Sequence, residues 1–279
     1  MQRNFNVLSA SSCRGQLLKP ANEAEILPRP VAASTSEIAF ARGIDISRSA
    51  GEPTLQDFEK LKQQGYRFVI VAGWGGVNPN CHAGVQLSRA RNAGLLTAGY
   101  CYLNFTSPLD GGGQVREALT AFGTECAGLG FVAIDVETSA RNQLSPGLRL
   151  ESPDSTAQQL AVVRIAEAVQ EVQRSGLNAV IYTKKDDWQR ITDDTQRFKG
   201  LPLWNPKTIG GDDLNQPDLA NPGYAFGGWT TRAGKQYVLD KLLSNPEINV
   251  DLNVFDLGIF SVGKPNDGDV AEFRIVATD

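Results

Sequence analysis

Four acidic residues of this chain fall where a carboxylate can do chemistry. In the apolar run at residues 131–137 (FVAIDVE), strand alternation puts Asp135 and Glu137 on one face, ~6.5 Å apart along the backbone. Asp45 lies between Ile44 and Ile46 in GIDIS, and Asp251 lies inside NVDLN at residues 249–253. A lone DxE on an edge strand is usually a solvated face, but the conjunction of all four acids in apolar runs is not. Carboxylates that converge on one mouth repel each other and lose water, which raises the pKa of at least one of them. A carboxyl still protonated at neutral pH is a general acid, and an ionised neighbour stabilises developing positive charge. The expected division has Glu137 holding the proton and Asp135 ionised. Two carboxyls flanking a scissile bond is the arrangement of glycoside hydrolysis, and ~6.5 Å lies at the border of the retaining and inverting ranges. Magnesium would accept the same oxygen ligands. No phosphate-gripping loop accompanies them, so metal-dependent phosphoryl transfer ranks below glycoside hydrolysis, and no metal or cofactor is expected.

Other chemistry is scarce. The 279 residues contain one histidine, His82, which leaves a serine hydrolase a single candidate base and nearly removes histidine metal sites. Cys13, Cys81, Cys101 and Cys126 form no CxxC pair, arguing against a zinc ribbon or dithiol site; Cys101 reads as a buried free thiol. The formal charge of −4 does not suit a protein that grips nucleic acid. No apolar run reaches the ~20 residues of a membrane span, and the N-terminal stretch lacks the apolar segment of a conventional signal peptide. The expectation is a soluble chain, cytoplasmic before release or carried by a phage-like or injection particle. Six aromatics near presumed strand ends, Trp74, Tyr100, Tyr102, Tyr182, Trp204 and Trp229, offer flat faces for pyranose rings.

The elements that must position these groups alternate. Apolar runs at 43–47, 68–72, 95–105, 131–137, 179–183, 201–205, 224–231 and 248–255 read as strands. Helical segments at 54–64, 84–92, 114–126 and 155–175 separate the earlier ones, the last with Leu160, Val163, Ala166 and Val169 as its apolar stripe. The Gly111–Gly113 run reads as a flexible turn. Strands apolar on both faces and alternating with helices imply a parallel sheet, and eight of them over about 215 residues suit a closed α/β barrel of the TIM type. Residues 1–40, with Pro20, Pro28 and Pro30, read as an arm or linker that docks on a carrier or particle. The barrel is placed at 41–257 and a short C-terminal extension at 258–279. In a closed barrel the first and last strands are neighbours, so Asp45 and Asp251 would share one mouth with Asp135 and Glu137.

The ordered set GIDIS (43–47), FVIVAGWGG (68–76), ARNAGLLTAGYCYLNF (90–105), FVAIDVE (131–137), GLNAVIYT (176–183), LPLW (201–204) and VDLNVF (250–255) resembles glycoside hydrolase family 25 muramidases, lysozymes of bacterial peptidoglycan. That resemblance implies an irregular (β/α) barrel lacking regular helices between its last three strands. It also implies Glu137 as acid/base, Asp135 as its partner carboxylate, Asp45 and Asp251 as supporting acids, and Tyr182 and Trp204 as cleft aromatics. It further suggests retention through the substrate's acetamido oxygen. Trp229 is followed by Thr230 and Thr231 where the family often has Trp-Gln-Tyr, and Cys81-His82 replaces an Asp-containing pattern, so subsite preference is what departs. Two function classes fit: a muramidase cleaving the β-1,4 bond between N-acetylmuramic acid and N-acetylglucosamine, or a non-catalytic glycan-binding barrel docked on a larger assembly. A chitin-like polymer stays open as substrate.

Overall fold

The computed structural model describes residues 40–138 and 155–261. The expected docking arm, save Phe40, and residues 262–279 of the expected C-terminal extension lie outside them, as does Cys13. Eight strands close a barrel in chain order: β1 (Phe40–Ile46), β2 (Phe68–Gly75), β3 (Leu96–Tyr102), β4 (Phe131–Asp135), β5 (Asn178–Tyr182), β6 (Leu203–Pro206), β7 (Gly234–Ser244) and β8 (Glu247–Asp256). β1 through β7 run parallel, while β8 runs antiparallel to both β7 and β1. Helices α1 (Leu55–Gln63), α2 (Ala83–Asn92), α3 (Gly111–Phe122), α4 (Ser155–Arg174) and α5 (Lys185–Thr192) cover it. Among the described residues no helix separates β6, β7 and β8, which is the irregular α/β barrel the sequence implies. No described helix is long and apolar enough to cross a membrane.

The barrel interior has a closed end and an open end. At the closed end Phe68, Phe131, Phe255 and Phe260 form an aromatic plug, with ring centroids 5.0–5.6 Å apart for Phe68–Phe260, Phe68–Phe255 and Phe131–Phe255. Gly43 and Gly234 make room for it, since a Cβ would stand 2.3 Å from the Phe68 ring and 2.1 Å from the Phe255 ring. Phe260 sits in a 3-10 turn (Leu257–Phe260), so barrel packing continues past residue 257. Outward residues such as Ile44, Ile46, Val69, Val71, Val132 and Ile134 pack instead under the helices. Alternation therefore leaves Asp45 and Asp135 pointing inward.

Three expectations are corrected. Strand seven lies at Gly234–Ser244, not at 224–231; the latter stretch is turns with one isolated Phe226–Trp229 bridge. Gly227 and Gly228, at φ 58° and 75°, adopt left-handed backbone that breaks a strand. The Gly111–Gly113 run opens α3 behind the N-cap Asp110, whose side chain accepts from Gly113 N–H at 2.5 Å. A Cβ on Gly111 would stand 1.8 Å from the Arg164 carbonyl oxygen, so glycine there permits close α3–α4 approach. On α4 the buried stripe is Ala161, Ile165, Ala166, Ala168, Val169 and Val172, so Ala166 and Val169 of the expected stripe are buried, whereas Leu160 is 54% exposed. The α5 helix, with only Trp188 and Ile191 as large apolar residues, was not anticipated.

Candidate active site

The open end of the barrel, where β1 to β7 terminate, holds a cleft of about 1070 Å³ lined by Asp45, Asp135, Glu137 and Asp251 together with Tyr100, Tyr102, Tyr182 and Trp204. Asp45 and Asp251 are directly paired across the β1–β8 ladder. A hydrogen-bonded bracket holds them. Gln236 Nε2 donates to Asp45 Oδ2 at 2.8 Å and to Asp251 Oδ2 at 3.0 Å, and Asn253 Nδ2 donates to Asp45 Oδ2 at 2.7 Å. The amides are themselves fixed: Tyr182 Oη donates to Gln236 Oε1 at 2.7 Å, and Trp204 Nε1 donates to Asn253 Oδ1 at 2.9 Å. Backbone Asp240 N–H completes Asp251 at 2.6 Å. Two cleft aromatics thus orient the carboxylate bracket as well as offering surface to a ligand.

Burial governs protonation here. It pushes Asp45 up to about 7, helped by the charges of Asp251 and Glu137 and opposed by the Asn253 and Gln236 hydrogen bonds. Asp135 is driven well above the usual carboxylate range by burial, then by Glu137, Asp45 and Asp187. Its Oδ1 is buried without a hydrogen-bond partner. Glu137 is raised by burial and by Asp187, while Lys184 and a hydrogen-bonding contact with Tyr182 hold it back. Asp251 is raised by burial, with the Asp240 N–H opposing. Both carboxyls are therefore raised in the free cleft, Asp135 more strongly than Glu137. Asp135 lies deeper and lacks the donors that favour an ionised carboxylate.

Two predicted aromatics do not line the cleft. The β2 ladder shifts register between Ala72 and Trp74, a bulge that puts Ala72 opposite Tyr100 and Trp74 opposite Cys101. Trp74 consequently faces the helical layer, donating to Gln114 Oε1 at 3.2 Å. Trp229 packs on Trp188 of α5 with centroids 4.9 Å apart and donates to the Leu201 carbonyl. Both are core. His82 pairs with Glu52 at the surface, 2.9 Å away; Cys101 is a buried free thiol, and the buried Cys126 Sγ donates to the Leu119 carbonyl oxygen at 3.3 Å. Among the described residues no group of three or more His, Cys, Asp or Glu is arranged to hold a metal.

Sequence reasoning did not single out Gln236, Asn253 or Asp187. Asn253 follows Asp251 by two residues on the same strand face, and that alternation was the available signal. Gln236 stays hidden while β7 is placed ten residues too early. Asp187 is 2% exposed, accepts a hydrogen bond from Thr138 Oγ1 and lies 3.4 Å from Lys184 Nζ.

With this geometry in hand, residues 36–237 match the family described as lysozyme-like protein 1. The chain belongs to the family of lysozyme-like protein 1. It is 26% identical over 213 residues to the probable GH family 25 lysozyme 3 of Dictyostelium discoideum, covering 76% of this chain and 40% of that relative. The probable GH family 25 lysozyme 4 of the same organism is 26% identical over 200 residues, 70% of this chain and 82% of that relative. Among solved structures, the family GH25 lysozyme of Aspergillus fumigatus superposes with a TM-score of 0.62 at 20% identity, covering 81% of this chain and 100% of the other. The muramidase of Acremonium alcalophilum gives 0.59 at 20% identity over 80% and 98%. These likenesses extend the family's barrel to this chain. The chain spans two-fifths of the length of the first Dictyostelium relative.

Proposed function

We propose that this lysozyme-like barrel is a muramidase that hydrolyses the β-1,4 bond between N-acetylmuramic acid and N-acetylglucosamine at the bacterial wall. The observation that carries the reading is the convergence of Asp45, Asp135, Glu137 and Asp251 in one aromatic-lined cleft. Glu137 is raised yet restrained by Lys184 and Tyr182, which suits a group that gives a proton to the leaving oxygen and then takes one from water. Asp135 offers a buried acceptor without a partner. An acetamido N–H donated to that oxygen favours its ionised form, so sugar binding draws down the Asp135 pKa and places negative charge beside the developing cation. This fits a retaining reaction in which the acetamido oxygen attacks the anomeric carbon. Asp45 and Asp251 act through their shared bracket as supporting acids.

The test is clearance of a peptidoglycan suspension with identification of the new reducing end. The wild-type chain should release N-acetylmuramic acid at that end. Glu137→Gln keeps the shape and deletes the transferable proton, so activity should fall ~10²–10⁴-fold with the melting temperature almost unchanged. Clearance retained above half would remove Glu137 from the role. Binding to wall without any new reducing end would favour the non-catalytic barrel.

A further inference from the structure

Beside the cleft, a second cavity of about 170 Å³ opens where β5 passes into α5 and β6 into the long connection before β7. Four cations line it, Lys184, Lys185, Lys207 and Arg232, against one lining carboxylate, Asp186. Arg232 is 9% exposed and builds the wall: its terminal nitrogens donate to the main-chain oxygens of Gln216 and Pro217 at 2.9 and 2.6 Å, and its Nε has no partner. Lys185 Nζ is 3.1 Å from the Gly223 carbonyl oxygen, and Lys207 Nζ stands 5.5 Å over the Tyr224 ring. Among the described residues neither lysine nor Arg232 has a carboxylate within 4.0 Å. Lys184 has Asp187 at 3.4 Å, and Asp213 and Asp218 act on Arg232 only through space. The guanidinium is hydrogen-bonded to carbonyls yet faces no carboxylate in contact, and with two half-covered ammoniums beside it the cavity is positive and favours an anion. No side chain caps the α5 N-terminus at Lys184, which adds to the positive end.

We propose that this cavity is a second recognition site for a carboxylate-bearing group of the substrate: the lactyl-peptide stem carried by muramic sugars. The assignment rests on the muramidase reading. Its volume equals roughly five to six waters at ~30 Å³ each, enough for a carboxylate with its branched carbon. Pro217, Leu219 and Phe226 give one side an apolar surface that suits a carbon skeleton. The site adjoins the reacting centre, because Lys184 acts on Glu137 and Trp204, one residue before lining Asn205, lines the cleft. A stem held here would select muramic sugars over uncharged N-acetylglucosamine polymers.

The test titrates the full chain with muramyl dipeptide, N-acetylglucosamine and inorganic phosphate, followed by NMR, for the wild type and for Lys185→Gln/Lys207→Gln. The double variant should bind muramyl dipeptide about tenfold more weakly, as loss of charge-assisted contacts predicts, and leave N-acetylglucosamine binding unchanged. On walls its KM should rise by a similar factor with kcat within twofold. If the double variant loses its fold, Lys207→Gln alone, which breaks no hydrogen bond, gives the same readout. Unchanged muramyl dipeptide affinity, equal losses for both sugars, or phosphate binding that muramyl dipeptide does not displace would overturn the assignment. The titration needs no turnover. A chain that binds the muramyl probe through these lysines yet leaves walls intact would defeat the muramidase reading and leave the cavity's ligand standing.

Discussion

Asp45→Asn should make the protein more stable at neutral pH, and by an amount that depends on pH. Asp45 is 6% exposed and pushed up to about 7 in the fold from 3.8. Between those values the folded chain retains a proton that the unfolded chain has released, so stability falls as pH rises through the interval. At ~1.36 kcal/mol per pH unit, an isolated Asp45 costs roughly 4 kcal/mol once the folded group ionises. Asp45 and Asp251 titrate as a pair, which places the recoverable part at about 2–4 kcal/mol. Asparagine presents the same acceptor to Gln236 and Asn253, so the bracket survives and the charge alone is removed. For a chain of this size that corresponds to roughly 5–15 °C in melting temperature. Thermal unfolding of both proteins from pH 4 to pH 8 is the assay: the variant's advantage should be near zero at pH 4 and grow to its full size above pH 7. A variant no more stable than wild type at pH 8, or equally advantaged at pH 4, would refute the claim that ionised Asp45 is held at a cost.

Asp135→Asn should cut wall turnover at least ~10²-fold, the size of losing one preorganised electrostatic group, yet leave in place the Glu137 limb of the kcat/KM–pH profile. Burial raises Asp135 more strongly than Glu137, and replacing a carboxyl that holds its proton removes no charge; a limb displaced by a full pH unit in a kinetic profile would contradict this order. Gly111→Ala should lower the melting temperature by several degrees, because its Cβ would meet α4 backbone at 1.8 Å and overpacking costs ~1–3 kcal/mol. Gly112→Ala, whose Cβ meets the end of the Arg116 side chain at 3.3 Å and the Glu167 carbonyl oxygen and Glu171 Oε2 at an ordinary 3.6 Å, should be neutral or stabilising in the same unfolding experiment.

The sequence made the barrel readable where strands are long, apolar and bounded by helices, as from β1 to β6. It also made Asp45 and Asp251 readable as neighbours, because closure of a barrel joins first to last. What stayed hidden depends on events that alternation cannot express. One extra residue in the β2 ladder turns Trp74 from cleft to core. Two left-handed glycines convert the apolar stretch at 224–231 into turns, and the misplaced β7 concealed Gln236. A glycine triplet reads as loop from propensity but starts α3 because of a tertiary contact with α4. The acids were visible as residue types; how strongly each is raised was not, since that follows from depth and from which donors reach each oxygen.

The two ends of the barrel carry opposite energetic roles. At the closed end four phenylalanine rings, none more than 5% exposed, each contribute roughly 1.5–3 kcal/mol by burial. At the open end no ion pair joins Asp45, Asp135 or Asp251 among the described residues, and every cleft acid is raised. The first contribution, taken over the four rings, is large enough to offset a cost of about 4 kcal/mol at Asp45. An inward lysine beside these acids would recover that cost and abolish the elevated proton affinity that acid catalysis requires. The acidic mouth is therefore tolerable because the plug beneath it is independent of pH. Substitutions in the plug should lower stability equally at all pH values, whereas Asp45→Asn should raise stability only in the alkaline half of the range.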